Sequence, residues 1–208
     1  MAGVDHRVTM PQTFAVTWDY RCPFARNGHE HLLDGLEGGA GWDVTFVPYF
    51  LNQGTGPDGR DVWDDPAHQA DLLSLAAGVV VRDRFPEHFF AVHRSLFAAR
   101  HDEAGDLRDR DVVHAALARA GVDAAAVLAE VDDGWPAKVV REEHERAVQE
   151  HEVFGVPTFI VGENAVFVRL MDRPEGDASR ARATIDRVLG LLVDHPELNE
   201  FKHTRQAR

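Results

Sequence analysis

The chain has 208 residues, of which 44% are hydrophobic and 27% are charged, the composition of a globular protein. Its formal net charge of −13 argues against nucleic acid or an anionic membrane as a partner, because phosphate groups bind clustered Lys and Arg side chains. The sequence contains no apolar run near the ~20 residues of a membrane span, and its N-terminal segment lacks the hydrophobic core of a secretory signal. We therefore expect a cytoplasmic protein, and the single cysteine, Cys22, agrees with a reducing compartment.

The first predicted unit surrounds this cysteine. A short apolar run predicts a strand over residues 14–18, followed by a turn over 19–23 and a helix from 24 to about 36. Cys22 would then lie at the start of the helix, where free N–H groups and the helix dipole favour the reactive thiolate. Ala25 occupies the second cysteine position of a Cys-x-x-Cys motif, so an intramolecular disulfide is excluded. The alternative for a lone cysteine is a small buried hydrophobe.

A second strand is predicted over residues 42–49, where polar and apolar residues alternate. With the first strand and helix it predicts a parallel βαβ unit with a right-handed crossover. A loop rich in Gly, Asp and Pro over residues 52–66 then begins a helical insertion. The predicted helices of the insertion cover residues 66–84, 86–100, 110–120, 124–132 and 136–152.

After the insertion, Pro157 stands at the entrance to an apolar strand predicted over residues 158–161. A proline at this first position costs no hydrogen bond of the sheet, and its bond to Val156 is a candidate for a cis peptide. A second strand over 165–170 is expected to pair with the first in antiparallel orientation. The last predicted helix, over 178–194, has its apolar residues on one face.

These segments together carry a resemblance to a known family. Cys-Pro at a helix start and Gly-Val-Pro-Thr-Phe before a strand resemble the thioredoxin superfamily, and in particular its DsbA-like branch. The resemblance implies an α/β, thioredoxin-like fold with a large all-helical insertion. It implies a discontinuous thioredoxin-like domain formed by residues 12–65 and 150–195. The helical insertion domain would cover residues 66–149, and a C-terminal tail would cover residues 196–208.

The resemblance also implies roles for individual residues. Cys22 matches the nucleophilic cysteine, Pro157 matches the cis-proline beside it, and Val156 matches the residue whose backbone contacts the substrate. Ala25 departs from the family pattern at the resolving cysteine, which argues against dithiol oxidase activity. Further substrate contacts are expected from residues near Cys22 in the sequence: Trp18, Tyr20, Pro23 and Phe24. For the three aromatic residues the alternative is an ordinary position in the core.

The tail over residues 197–205 is similar to that of the actinobacterial mycothiol-dependent nitroreductases, a cytoplasmic DsbA-like family. This likeness implies a thiol oxidoreductase in which Cys22 alone forms a mixed disulfide with a low-molecular-weight thiol or a substrate. Because release then requires an external thiol, mycothiol or glutathione is the expected co-substrate, with no covalently bound cofactor. The expected partner is a small-molecule thiol or disulfide, and the chain could be a monomer or a homodimer.

Two other functions remain open on the sequence. Kappa-type glutathione transferases and 2-hydroxychromene-2-carboxylate isomerases share the scaffold, but they activate bound glutathione with a serine where this chain has Cys22. A redox-inactive binding module would use the groove around Val156 and Pro157 to hold a peptide or small ligand.

Other candidate chemistry is weaker. The chain has twelve histidines, but His29 and His31 are two apart on a predicted helix, whereas helical metal ligands are three or four apart. We therefore expect no metal site and most histidines at the surface. Asp19, three residues before Cys22, is expected to hold the loop or to tune the thiol.

Overall fold

The computed structural model describes residues 13–51, 63 and 66–203. The N-terminal segment, most of the loop predicted over 52–66 and the end of the predicted tail lie outside the described residues. In the part that is described, the elements follow the order βαβ, a run of helices, then ββα. This order confirms the thioredoxin-like α/β fold with a helical insertion.

The N-terminal unit positions Cys22. The strands β1 (Thr13–Trp18) and β2 (Asp43–Pro48) pair in parallel over their whole length. The helix α1 (Pro23–Glu37) connects them and begins with Pro23, whose missing N–H costs nothing at the first helical position. This arrangement confirms the predicted parallel pairing and places Cys22 between the turn after β1 and the first turn of α1.

The helical insertion follows β2. Its α-helices are α2 (Pro66–Arg84), α3 (Phe89–His101), α4 (Arg110–Arg119), α5 (Ala124–Asp132) and α6 (Trp135–His151). The helix predicted over 86–100 starts instead with a 3-10 turn, Pro86–His88, before α3. Asp109 and Asp123 begin α4 and α5 as side-chain caps, each accepting an N–H of the first turn. None of the described helices has both the length and the apolar character needed to cross a membrane.

The chain returns to the sheet through β3 (Thr158–Val161) and β4 (Asn164–Phe167) and ends the described fold with α7 (Ala178–Asp194). Among the described strands the order is β2-β1-β3-β4, with β3 antiparallel to both of its neighbours. The helices α1 and α7 pack against each other, and α6 contacts β2.

The strand β4 is shorter than predicted, since it ends at Phe167 rather than at residue 170. Its partner β3 begins at Thr158, which lies opposite Phe167. The preceding residue, Pro157, has no N–H to extend the ladder. One further hydrogen bond joins Val168 N–H to the Pro157 carbonyl at 3.0 Å, and the chain then leaves the sheet.

One apolar cluster joins the sheet to the insertion. Trp18, at the end of β1, is fully buried, and its ring packs edge-on against Phe89 of α3 with 6.0 Å between ring centroids. The insertion therefore shares its core with the thioredoxin-like part. The predicted division into separate domains stays a prediction.

The expectation of surface histidines is wrong for four of them, each at most 2% exposed: His29, His31, His93 and His144. Two of these belong to a hydrogen-bonded chain in the core. The Tyr20 hydroxyl lies 2.9 Å from His93 Nδ1, His93 Nε2 lies 3.0 Å from His29 Nδ1, and His29 Nε2 lies 3.0 Å from the Thr17 carbonyl. With the proton on Nε2 of both rings, every donor has an acceptor. The chain thus ties α3 to α1 and β1 through neutral histidines.

Candidate active site at Cys22

Cys22 is the N-cap residue of α1. Its backbone is extended, with φ −93° and ψ 118°, and the Ala25 N–H donates a hydrogen bond to Sγ at 3.4 Å. The Cys22 N–H donates to the Asp19 carbonyl at 3.1 Å, which closes the turn after β1. The sulfur therefore occupies the position that a Ser, Thr, Asp or Asn oxygen usually takes at a helix start, with N–H groups of the first turn directed at it.

The loop around Pro157 lies beside this sulfur. The Val156–Pro157 peptide bond is cis, and the Cys22 thiol donates a hydrogen bond to the Val156 carbonyl at 3.3 Å. On the other side, the Pro157 ring packs against Gly28 of α1, where a Cβ atom would come within 3.0 Å of the proline Cγ. The structure thus brings together two segments that lie 134 residues apart in the chain.

Hydrogen bonds to β1 hold the proline loop in place. The Thr158 N–H donates to Thr17 Oγ1 at 2.9 Å, and both threonine hydroxyls donate to the Gly155 carbonyl, at 2.8 Å from Thr158 and 3.4 Å from Thr17. Because β1 also leads into the turn before Cys22, the two sides of the site share one rigid support.

Val156 is the residue whose backbone was expected to contact a substrate. Its side chain is buried, with the residue 1% exposed, and its carbonyl accepts the hydrogen bond of the Cys22 thiol. A carbonyl oxygen has a second lone pair, so the contact with a substrate stays a prediction.

Two of the predicted substrate-contacting residues lie in the core. Trp18 and Tyr20 are fully buried, and the Tyr20 ring packs edge-on against Phe97 of the insertion at 4.9 Å. Both were expected to line a pocket at Cys22, but the insertion covers their rings, which favours the alternative core position. Pro23 is exposed and Phe24 is half-buried, so these two remain at the surface next to the sulfur.

Asp19 holds the loop before Cys22. Its carboxylate is fully buried and accepts hydrogen bonds from the backbone N–H, Nε and Nη2 of Arg21 at 2.9, 3.1 and 2.7 Å, and from the Leu51 N–H at 3.0 Å. A buried carboxylate is stable only with such partners. Of the two roles considered for Asp19, loop support is the one that these contacts favour.

The pKa of Cys22 corrects a second expectation. Burial raises the pKa of the thiol, and the negative charge of Asp19 acts in the same direction. The N–H groups of Ala25 and Phe24 and the charge of Arg169 lower it, but they do not outweigh burial. Burial of the sulfur therefore opposes the thiolate that the helix start by itself would favour.

Asp19→Asn is expected to lower the pKa of Cys22, because it removes a negative charge that raises this pKa. It should also lower the free energy of unfolding by about 1–3 kcal/mol, because a charge-assisted buried contact is lost. The pH dependence of iodoacetamide alkylation measures the first effect, and urea unfolding measures the second.

The chain contains a matched control for this variant. Asp106 makes the same set of hydrogen bonds to Arg108, also two residues later, but at the surface. Asp106→Asn should leave both measurements close to those of the wild type. Equal effects of the two variants would contradict the role assigned to Asp19.

The sequence did not reveal the surface next to the site. The Arg169 guanidinium lies over the rings of Phe24, at 5.5 Å, and Phe167, at 5.4 Å. Phe154 is 75% exposed and contacts Phe167 with 5.3 Å between ring centroids. No spacing in the sequence links Phe154, Phe167 and Arg169 to Cys22, because all three follow the insertion and reach the site only through tertiary packing.

Other places for chemistry lie away from the sulfur. A cavity of about 520 Å³ lies between the sheet and α6, with Ala15, Thr45 and Ala147 in its lining, and Cys22 does not line it. Within the described residues, no group of three or more His, Cys, Asp or Glu side chains has the geometry of a metal site.

Comparison with known proteins is consistent with this geometry. The sequence profile of the DSBA-like thioredoxin domain family matches residues 15–175. No curated protein is significantly similar to the chain in sequence.

Solved structures with a similar fold include three proteins described as an oxidoreductase or a reductase. MdbA, a thiol-disulfide oxidoreductase from Actinomyces oris, has a TM-score of 0.59 and 18% identity, covering 88% of this chain and 84% of its own. The cytosolic disulfide reductase DsbM from Pseudomonas aeruginosa, solved with GSH, has a TM-score of 0.58 and 16% identity, covering 85% and 98%. A probable DsbA oxidoreductase from Streptomyces coelicolor has a TM-score of 0.57 and 16% identity, covering 82% and 90%.

Proposed function

The chain belongs to the family of DSBA-like thioredoxin domains, and on that premise we propose that it is a thiol-disulfide oxidoreductase that works through Cys22 alone. One observation carries the proposal. The Cys22 sulfur caps α1, is partly exposed, and lies 3.3 Å from the Val156 carbonyl of the proline loop. A cysteine that served only as a core residue would have no need of this contact between two loops.

The proposed reaction has two thiol-disulfide exchange steps. The thiol of Cys22 first loses its proton to solvent and gives up its hydrogen bond to Val156. The sulfur then attacks a disulfide, forming a mixed disulfide as the old S–S bond breaks and one thiolate leaves. Because Ala25 supplies no second thiol, an external thiol attacks the mixed disulfide and restores Cys22. The N–H groups of Ala25 and Phe24 stabilise the thiolate in both steps.

The raised pKa of Cys22 supports reduction as the direction of this exchange. Strongly oxidising family members derive their potential from a stabilised thiolate, which makes the reduced form favourable. At Cys22 the effect of burial is larger than the stabilisation of the thiolate by the N–H groups of Ala25 and Phe24. We therefore propose that Cys22 acts as a reductant, attacking a mixed disulfide in the substrate and taking one of its thiols. The Pseudomonas protein of similar fold is described as a disulfide reductase and was solved with GSH.

The external thiol is proposed to be glutathione or mycothiol, in a reducing cytoplasm. The likeness of the tail to mycothiol-dependent nitroreductases supports mycothiol. Alanine instead of a resolving cysteine at position 25 makes an external thiol necessary, but it does not indicate which of the two thiols is used.

A redox-inactive binding module is the second candidate. The Cys22 sulfur accepts a hydrogen bond from the Ala25 N–H, and the thiol donates one to the Val156 carbonyl. The pKa of the thiol is raised. These contacts would also serve a cysteine that only holds two loops together. None of these contacts favours the third function considered, a kappa-type glutathione transferase.

Covalent trapping tests the proposed function. The reduced protein is incubated with glutathione disulfide between pH 7 and 9.5, and the intact mass is measured with time. We expect one glutathione adduct per chain. At pH values below the pKa of Cys22, its formation should become about tenfold faster for each unit by which the pH is raised, because the thiolate is the nucleophile. Reduced glutathione should release it. The rate should still be rising at the usual thiol pKa of about 8.5.

Cys22→Ser is the matched control, because a serine oxygen can still cap α1, and it should give no adduct. If the folded wild type forms none even at pH 9.5, while the urea-unfolded chain reacts, the binding module replaces the oxidoreductase as the preferred function.

A further inference from the structure

The surface next to Cys22 contains an arginine that the proposed exchange does not use. Arg169 is exposed, and its guanidinium is stacked over Phe24 and Phe167. Stacking on two rings restricts the guanidinium to a defined position while leaving its N–H donors available. Phe24 directly follows the Cys-Pro pair, so this position lies at the sulfur end of α1.

The charge of Arg169 is not neutralised by a partner. Within residues 13–51, 63 and 66–203, Arg169 forms no ion pair, although the chain carries a net charge of −13. Other arginines of this region do have carboxylate partners: Arg21 with Asp19, Arg26 with Asp102 and Arg173 with Glu30. An acidic protein that leaves one stacked guanidinium unpaired beside its thiol has a free binding site for an anion.

The charge is also within electrostatic reach of the reacting atom. The ring of Phe24, two residues after Cys22, lies 5.5 Å from the Arg169 guanidinium, and the charge of Arg169 is one of the causes that lower the pKa of Cys22. A ligand whose sulfur meets Cys22 can therefore place a neighbouring group at Arg169. Phe154 and Phe167 extend an apolar surface from the same place.

We propose that Arg169, held by Phe24 and Phe167, binds a carboxylate of the disulfide that Cys22 attacks, so that the site selects anionic disulfide substrates, whichever external thiol later releases Cys22. The inference rests on the proposed function and adds the substrate class to it. In the exchange itself, the Cys22 sulfur forms a bond to the nearer sulfur of the disulfide, the disulfide bond breaks, and the other half leaves as a thiolate. Arg169 takes no part in these bond changes.

Two chromogenic aromatic disulfides separate recognition of charge from reactivity of the thiol. Dithiobis(nitrobenzoate) carries two carboxylates, and dithiodipyridine is neutral at pH 8. The rate of Cys22 modification is measured with both in the folded protein, and each rate is divided by the rate for the urea-unfolded chain. The ratio of the two normalised rates is the selectivity for the anion.

Arg169→Gln is expected to lower this selectivity by about two- to fivefold, the upper part of the range that an exposed ion pair produces. A raised pKa of Cys22 in the variant slows both reagents by the same factor and so cancels from the ratio. The selectivity of the wild type should also fall as salt is added, whereas that of the variant should not. Arg84→Gln is the matched control, because Arg84 is an exposed arginine stacked on Trp135 in the insertion. It should leave the selectivity unchanged.

The outcomes distinguish this inference from the proposed function. If neither reagent modifies the folded protein, the proposed function fails, and the inference fails with it. If both reagents react and Arg169→Gln changes the two rates equally, Arg169 acts only on the thiol, and the inference fails while the proposed function stands. An equal loss of selectivity in Arg84→Gln would assign the effect to net charge and would also overturn the inference.

Discussion

Ala25→Cys is expected to convert the single-cysteine site into one that releases its own mixed disulfide. The Ala25 N–H already donates to the Cys22 sulfur at 3.4 Å, and Ala25 is fully buried in the first turn of α1. A thiol introduced there would lie next to the sulfur that carries the adduct. It would attack the mixed disulfide from within the chain and form an intramolecular disulfide as the bound thiol leaves.

The expected effect is large because the attacking thiol becomes part of the molecule. An internal group acts at an effective concentration on the order of millimolar. With external thiol held at about 10 µM, release should therefore be about 100-fold faster than in the wild type. Loss of the glutathione adduct at this concentration of external thiol, followed by intact mass, measures the release.

Ala77→Cys is a matched control, because Ala77 is equally buried but lies in α2. It adds one buried thiol without placing it at Cys22, and it should leave release dependent on external thiol. If Ala25→Cys also retains its adduct, the first turn of α1 does not offer the geometry of a resolving thiol, and the assignment of Ala25 to that position is wrong.

Acidification from pH 7 to pH 4 is expected to destabilise the fold through the buried histidines. Burial lowers the pKa of His29 to about 4 and the pKa of His93 well below its usual value. Both rings are neutral in the folded chain, whereas in the unfolded chain they bind protons below about pH 6.5. The unfolded state therefore binds more protons as the pH falls, and stability is lost below pH 6.5 down to the folded-state pKa.

For His29 alone the loss approaches about 3 kcal/mol at pH 4, since each unit of pKa shift corresponds to about 1.4 kcal/mol. Urea unfolding at intervals from pH 7 to pH 4.5 measures the slope of stability against pH. His29→Gln removes one titrating group, so we expect a shallower slope by about one proton even if the variant is less stable at pH 7.

His114→Gln provides the comparison, because His114 is exposed on α4 and its removal should leave the slope as in the wild type. The same slope in His29→Gln would show that protonation of His29 does not contribute to the loss of stability in acid.

The sequence by itself determined the order of elements and the two segments that form the site. The strand before Cys22, the helix after it, and the strand after Pro157 depend on local features: apolar runs, a proline at a helix start, and a proline at a strand start. Such features act over a few residues and can be read without knowing the fold. The missing second cysteine at Ala25 was also evident, and it limits the chemistry of the chain.

Only the tertiary structure decided the state of the thiol and what surrounds it. Local reasoning predicted a thiolate from the helix start, but burial of Cys22 reverses that expectation, and burial depends on segments far away in the chain. The same dependence explains why Trp18 and Tyr20 are covered by the insertion and why Arg169 reaches the site from β4. Desolvation and charge act through space, so they follow from packing and not from position in the sequence.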